Sequence, residues 1–228
     1  VAAGRSEDGV IPLENSQSGS IHENFDLLQE YDLKIIGEIT IRIQHALIAH
    51  KGAVKDNIRQ VLAPPPALTQ CSNYLDQYPW MERVPVAATS QAVKQVKDSA
   101  DVHLAAIAST MAAQMFDMAV LDESIEDDPR NYTRFAVIAK EYKGRKKVAK
   151  TSVIFSTGNQ PGALFEVMKI FSDHDINLVK LESRPIHGKP WEYMFYADLE
   201  ADIEKKELAP MRDLVEEKTE TFRILGRY

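Results

Sequence analysis

One cysteine in 228 residues, Cys71, has no partner for an internal disulfide, and a reducing compartment is favoured. No stretch approaches the ~18 consecutive apolar residues of a membrane span, and the first residues lack the basic-then-apolar pattern of a secretory signal. The expected location is therefore cytoplasmic, with no membrane partner. Positive charge is in deficit: 27 Lys and Arg stand against 34 Asp and Glu, for a net charge of −7. A nucleic-acid partner normally meets a basic face. The one basic run here, Lys143-Gly144-Arg145-Lys146-Lys147, holds no aromatic residue and reads as a solvated linker, so no nucleic acid is expected. No His, Cys and Asp spacing has metal-ligand form, and no cofactor is expected. Cys71 has no neighbouring cation to lower its pKa and reads as a small buried residue.

What is present is ordinary globular material, 44% hydrophobic and 27% charged. The length suggests one or two domains. Up to residue 139, short apolar segments at 10–13, 58–62, 84–87, 103–108, 118–121 and 132–139 read as strands. Between 38 and 44, Ile39, Ile41 and Ile43 alternate with polar residues, the period-two signature of a half-buried strand. Helical spacing links Ile21, Phe25 and Leu28, with Ser18 or Ser20 as a cap. Further helices are expected at 67–75 after Pro64-Pro65-Pro66, from Thr89 or Ser90 through Val96, and from Ser109 or Thr110 through Phe116. Strand–helix alternation of this kind predicts an α/β sandwich with partly parallel sheet. Beyond the basic run the pattern changes. Strands at 151–155, 176–183, 191–199 and 221–225 and helices at 163–171 and 203–217 spell βαββαβ, a ferredoxin-like unit. The domains are expected at 1–143 and 150–228.

Two segments carry chemistry. Glu14-Asn15-Ser16 sets a carboxylate, an amide and a hydroxyl in consecutive positions. Ser18-Gly19-Ser20 then offers backbone N–H groups at a helix start, where the dipole favours an anion and glycine admits close approach. The plain alternative is a capped surface loop. The second segment, Asn131-Tyr132-Thr133-Arg134-Phe135, enters a strand after an acidic loop, and alone it is a weak signal. His22, His45 and His103 read as solvated or partly buried histidines. Tyr193, Phe195 and Tyr196 read as sheet and core aromatics.

Taken together, "PLENSQSG…DLL" and "IED…NYTRF" resemble prephenate dehydratase, the enzyme that makes phenylpyruvate in phenylalanine biosynthesis. "GEITIRIQHALIA", "ALTQCSNYL" and "AAIASTMAAQMFDMAVL" are similar to the same family. So are the "GAL" and "ESRP" motifs of its regulatory domain, which fall here on Gly162-Ala163-Leu164 and Glu182-Ser183-Arg184-Pro185. The resemblance implies a two-lobed catalytic domain like that of periplasmic binding proteins, with substrate in the cleft, followed by a ferredoxin-like ACT domain. It carries the family's functional threonine onto Thr133, with Arg134 and Phe135 completing the catalytic motif. Substrate contacts are expected from Glu14, Asn15, Ser16, Ser18, Gly19, Ser20 and Asn131. Phenylalanine is expected as allosteric ligand, held by Gly162, Ala163, Leu164, Asn177, Leu178 and the Glu182-to-Pro185 motif. A homodimer or homotetramer follows from the same resemblance.

The implied reaction, that of a carbon–oxygen lyase, removes carbon dioxide and hydroxide from prephenate and leaves an aromatic ring. The departing hydroxyl needs a hydrogen-bond donor, a role for Thr133. The pyruvyl carboxylate needs an anchor, for which Arg134 and the amides of Ser18 to Ser20 are candidates. The ring carboxylate must lose its charge, which suits a hydroxyl-lined pocket near Asn15 and Ser16 better than a salt bridge. Three departures from the family stand out. Pro64-Pro65-Pro66 replaces a His-Pro-Gln sequence, Ala88-Thr89 replaces a Ser-Thr pair, and the glycine-rich "GP.GTFS" segment that precedes the Glu-Asn-Ser motif is not in the chain. Two other functions are therefore kept open: the same reaction on arogenate, and a catalytically silent amino-acid-binding regulator.

Overall fold

The structure is a computed structural model that describes residues 1–142 and 148–228. The basic run at 143–147, expected as a linker, lies outside them. In chain order the elements begin with β1 (Asp8–Asn15), the short β2 (Gly19–Ser20), α1 (His22–Glu30), β3 (Lys34–Arg42) and β4 (Ala46–Ala49). After a 3-10 turn at Lys55–Asn57 come β5 (Gln60–Ala63), α2 (Pro65–Gln70), α3 (Ser72–Leu75) and β6 (Glu82–Pro85). There follow α4 (Thr89–Ser99), β7 (Leu104–Ala108), α5 (Thr110–Phe116), β8 (Ala119–Glu123) and β9 (Tyr132–Ala139). The last stretch is β10 (Thr151–Ser156), α6 (Ala163–Asp173), β11 (Leu178–Pro185), β12 (Tyr193–Leu199), α7 (Ala209–Lys218) and β13 (Thr221–Arg227). The chain is thus mixed α/β and divides into two compact units. Val1–Glu14, Ser20–Thr40 and Arg134–Tyr228 form one; Asn15–Gly19 and Ile41–Thr133 form the other.

The first unit is built on an eight-stranded sheet in the order β11-β12-β10-β13-β3-β9-β1-β2. Its last four strands in sequence, with α6 and α7, make the antiparallel βαββαβ unit expected from the pattern. Every residue of β10 is buried, because alternate side chains leave opposite faces and both faces are covered. Val153 and Phe155 pack against Val167 and Phe171 of α6 and Val215 of α7. Ile154 turns the other way, into a cluster with Leu13, Phe25, Leu28 and Tyr196. There the Tyr196 hydroxyl donates to the Phe25 carbonyl at 2.7 Å, and the two rings meet edge to face. Gly226 of β13 pairs in parallel with Ile35 of β3, and a Cβ at Gly226 would lie 1.9 Å from the Ile35 carbonyl oxygen. Only glycine lets these two strands meet at that point.

The second unit has a five-stranded sheet, order β6-β5-β7-β4-β8, with β5 parallel to β6 and β7 and with β4 antiparallel to β7 and β8. Its two faces are both covered. Leu47, Ile58, Val61 and Ile107 pack with Cys71 and Leu75 on one side; Ile48, Leu62 and Ala106 pack with Val93 and Val96 of α4 on the other. Double burial is why these short strands read as unbroken apolar runs.

Several local expectations change. The helix expected at 67–75 breaks at Cys71, whose backbone leaves the helical region. The helix expected from 203 begins at Ala209, with Pro210 in its first turn, where a missing N–H costs nothing. Neither Ser18 nor Ser20 caps α1: its N-cap is Ile21, without a side-chain hydrogen bond, because both serines are bonded elsewhere. Ala88 precedes α4 with no side-chain cap, whereas the Ser109 side chain accepts from Ala112 N–H at the start of α5, as expected. Ile39 and Ile41 are 45% and 48% exposed, so their alternation does not mark a buried face.

Candidate functional site

In the second unit the two motifs meet through Asn15. Its carboxamide oxygen accepts from the backbone N–H groups of Gln17 and Ser18, both at 3.0 Å, which fixes which end of the amide is oxygen. The amide nitrogen must then be the donor on the other side. It reaches Asn131 Oδ1 at 2.6 Å, Thr133 Oγ1 at 3.0 Å and the Tyr132 carbonyl at 3.1 Å. Asn15, Asn131 and Thr133 are all buried. Two consequences follow from donor counting. The Thr133 oxygen is an acceptor toward Asn15, so its own hydroxyl proton points elsewhere. Asn131 spends its oxygen on Asn15, and its buried Nδ2 has no partner. An unpaired buried donor costs about 1–3 kcal/mol, so this position favours an incoming acceptor. Ser16 is occupied with chain closure: its hydroxyl donates to the Arg130 carbonyl and accepts from Tyr132 N–H.

Glu14 and Arg134, the chain neighbours of Asn15 and Thr133, belong to the first unit and to a different kind of assembly. Arg134 meets three carboxylates: Glu14 through Nε at 3.0 Å, Asp198 at 2.6 Å and Glu38 at 3.3 Å, both through Nη1. Burial opposes its charge, but Asp198 and Glu14 outweigh that and raise its pKa. Lys180 Nζ donates to Glu14 and, at 2.8 Å, to the Ser20 hydroxyl, and stands 5.3 Å from the centre of the Phe25 ring. The Ser20 hydroxyl in turn donates to Glu182 at 2.5 Å, and His22 Nε2 lies 3.1 Å from the other oxygen of Glu182. Burial opposes ionisation of Glu14 as well, yet the Lys180 hydrogen bond and the Arg134 charge hold its carboxyl below the ordinary carboxylate range. Glu182 is depressed in the same way, by Ser20 and His22 against burial. Arg184 forms a two-pronged pair with Asp26 of α1, at 2.7 and 3.0 Å. Phe135 is half-buried in β9.

The expected amino-acid site is brought together in part. Gly162 takes φ +87° and starts α6, and Gly162, Ala163 and Leu164 line a cavity of about 280 Å³ with Trp191, Tyr193 and Phe195. Asn177 is bonded to Glu200, and Leu178 packs against the helix-side core. Glu182 and Arg184 face β2 and α1 instead of that cavity. Ser183 and Pro185 pair opposite Phe195 and Tyr193, two of its lining residues. A larger open groove, about 930 Å³, runs along Asp26, Gln29, Arg184, His187, Lys189 and Trp191, and its lining includes neither Asn15 nor Thr133.

Two features had no signal in the sequence. Lys180 is one, since a lysine in a strand is unremarkable until its partners are known. The other is a set in the second unit: His45 Nε2 lies 2.9 Å from Gln70 Oε1, and Glu126 accepts from His45 N–H at 3.0 Å while its other oxygen, buried without a hydrogen bond, lies 3.6 Å from Arg42 Nη2. Cys71 is buried among apolar neighbours, and burial together with Asp127 and Glu126 pushes its thiol up to about 12, far from a reactive thiolate. No cluster of metal-ligand type and no helix long and apolar enough to cross a membrane occurs among the described residues.

Residues 1–143 match the family model for prephenate dehydratase, and residues 151–209 match that for the ACT domain. A prephenate dehydratase of Methanocaldococcus jannaschii is 39% identical over 96% of this chain and 80% of its own length. The bifunctional chorismate mutase/prephenate dehydratase of Escherichia coli K12 is 35% identical over the whole chain, which spans 60% of that protein's length. Among solved structures, prephenate dehydratase in complex with L-Phe from Arthrobacter aurescens superposes with a TM-score of 0.88 at 27% identity, covering 99% of this chain and 76% of that one. GqqA, described as a novel type of quorum quenching acylase, superposes at 0.90 with 28% identity, covering 100% and 84%.

Proposed function

The chain belongs to the prephenate dehydratase family and carries an ACT domain, and from that premise we propose that it converts prephenate to phenylpyruvate in L-phenylalanine biosynthesis, with phenylalanine as inhibitor. We take residues 1–143 as the catalytic part and 150–228 as the regulatory part. The observation that carries the reading is the donor pattern at Thr133. Asn15 donates to its oxygen, which orients the hydroxyl and makes its remaining proton a better donor toward the departing hydroxyl of the substrate. The ring carboxylate leaves as carbon dioxide, its electron pair enters the ring, and the hydroxyl departs as hydroxide under that hydrogen bond. Aromatisation supplies the driving force. Threonine is a weak acid, so its part is hydrogen-bond stabilisation of the leaving oxygen. The free Nδ2 of Asn131 is a second donor for a substrate oxygen.

Arg134 is held by Glu14, Glu38 and Asp198 through Nε and Nη1, while its buried Nη2 has no hydrogen-bond partner. Its role in the proposed site is to hold Glu14 in place through Nε, with the unpaired Nη2 as a donor toward the pyruvyl carboxylate beside the amides of Ser18 to Ser20. The cavity at Gly162 to Leu164 is the proposed phenylalanine site, with the first turn of α6 receiving the carboxylate and Trp191, Tyr193 and Phe195 meeting the ring. We further propose a cytoplasmic homodimer or homotetramer; the exposed Val179 and Leu181 of edge strand β11 support association.

The test is turnover of prephenate to phenylpyruvate, read at alkaline pH, with arogenate run in parallel. Thr133→Ala should lower kcat on the order of 10²-fold, the loss typical of one well-placed donor. Normal turnover by Thr133→Val would remove Thr133 from the chemistry. Turnover of arogenate alone would move the substrate to the amino analogue.

A further inference from the structure

Strand β11 has two working faces. Lys180, Glu182 and Arg184 alternate along one of them and reach Glu14 and Ser20, Ser20 and His22, and Asp26 respectively. Residues 14 and 20 are the two ends of the segment that contains Asn15, and one ammonium, that of Lys180, binds both. On the opposite side of the sheet, Ser183 and Pro185 stand across from Phe195 and Tyr193, which line the cavity at the 158–165 loop. β11 is an edge strand, hydrogen-bonded only to β12 in the order of its sheet, and its register slips between Leu178 and Lys180. A strand paired on one side and irregular in register beside Lys180 can shift without breaking pairing to a second neighbour.

We propose that Lys180 is a positioning residue for the 14–20 segment and the link through which an amino acid bound at the 158–165 loop acts on that segment. The ligand touches β12 and displaces β11; Lys180 then leaves Glu14, Ser20 or both, and the turn that orients Asn15 loosens. This inference rests on the dehydratase reading above and adds the residue that couples its two parts. Glu14 keeps Arg134 when Lys180 withdraws, so the segment loosens without unfolding.

The experiment compares the purified protein with its Lys180→Met and Lys180→Arg variants, with and without phenylalanine. Methionine keeps the stem over Phe25 and removes only the ammonium. In Lys180→Met the phenylalanine-induced rise in Tm should persist. Its kcat on prephenate should fall about tenfold with KM altered less than about twofold, because a loosened turn misplaces a donor used in the transition state. Half-inhibition should need at least about tenfold more phenylalanine, a coupling loss of ordinary size. Backbone amides of Gln17 and Ser18 should exchange about tenfold faster in the variant, and also in the parent protein once phenylalanine is added. Lys180→Arg should recover most of these properties. Parent-like turnover and inhibition in Lys180→Met, or unchanged exchange at Gln17 and Ser18, would overturn the proposal. If the parent protein has no turnover on prephenate, the dehydratase reading fails by itself, and amide exchange still decides the role of Lys180. Should Lys180→Met not fold, Ser20→Ala removes one hydroxyl from the same clasp; unchanged exchange there overturns the proposal equally.

Discussion

Asn15 shows how much of a site is decided by the orientation of one amide. With its oxygen held by two backbone N–H groups, its nitrogen is committed to Thr133, Asn131 and the Tyr132 carbonyl. Asn15→Asp tests that commitment, since it keeps the shape and the turn but replaces the donor with a carboxylate oxygen that can only accept. The Thr133 hydroxyl and the Asn131 amide must then turn to donate to it, while the Tyr132 carbonyl is left facing it. A buried acceptor left without a donor costs about 1–3 kcal/mol, and each kcal/mol moves Tm by about 2–4 °C at this chain length. We expect a lower Tm by several degrees and a kcat reduced on the order of 10²-fold, by the same donor logic that applies to Thr133. Parent-like turnover in Asn15→Asp would show that the donation to Thr133 is dispensable. Both residues stood out in the sequence through their motifs, but the bond between them did not. They lie 118 positions apart, and neither motif says which end of the amide faces the hydroxyl. Lys180 and Gln70 were invisible for a related reason: their significance lies wholly in partners contributed by distant segments.

At the scale of elements, periodicity made the βαββαβ unit legible, because its strands and helices alternate within a short span and each buries a patterned face. Doubly covered strands such as β5 and β7 were legible as apolar runs. What no local pattern carries is the meeting of β13 with β3, which rests on one parallel contact between Gly226 and Ile35. Gly226→Ala is the direct test. A methyl group 1.9 Å from a backbone carbonyl oxygen cannot be accommodated by a side-chain rotation, so the strands must part. Overpacking of this kind typically costs about 1–3 kcal/mol, and backbone as the obstacle puts this site at the upper end. The expected result is a Tm lower by about 5–10 °C and faster amide exchange at the end of β13, with any phenylalanine binding at the proposed 158–165 cavity unchanged from the parent. An unchanged Tm would mean that the contact between β13 and β3 contributes nothing to stability.

For the molecule as a whole, the acidic balance conceals cations placed where they matter. The net charge of −7 excluded a basic face, but nothing in the pattern hinted that Arg134, Lys180 and Arg184 each pair with a carboxylate from another element. Those pairings fix how stability depends on pH. Glu14 and Glu182 are depressed from an ordinary value of 4.5, with Lys180 and Arg134 outweighing burial at Glu14, and with Ser20 and His22 doing so at Glu182. Asp26 is depressed from 3.8, chiefly by its hydrogen bond from Arg184. A carboxyl whose pKa is lower in the folded than in the unfolded chain stabilises the fold fully above the unfolded value, and that contribution disappears as pH falls through the folded value. Stability should therefore hold near neutrality and fall as the pH drops below about 4.5. Glu182 and Glu14, with side chains 22% and 34% exposed, should account for more of the fall than Asp26, whose 49% exposure leaves it screened by solvent. Lys180→Met removes the first cation from Glu14 and returns its pKa toward the ordinary value, so the variant takes up fewer protons on unfolding in acid. Its stability should be lower than the parent's at neutral pH and should decline less steeply on acidification. Urea midpoints of the two proteins measured from about pH 7 to about pH 4 should therefore converge. Parallel curves would mean that Lys180 does not set the ionisation of Glu14, and would remove the electrostatic basis of the clasp along with it.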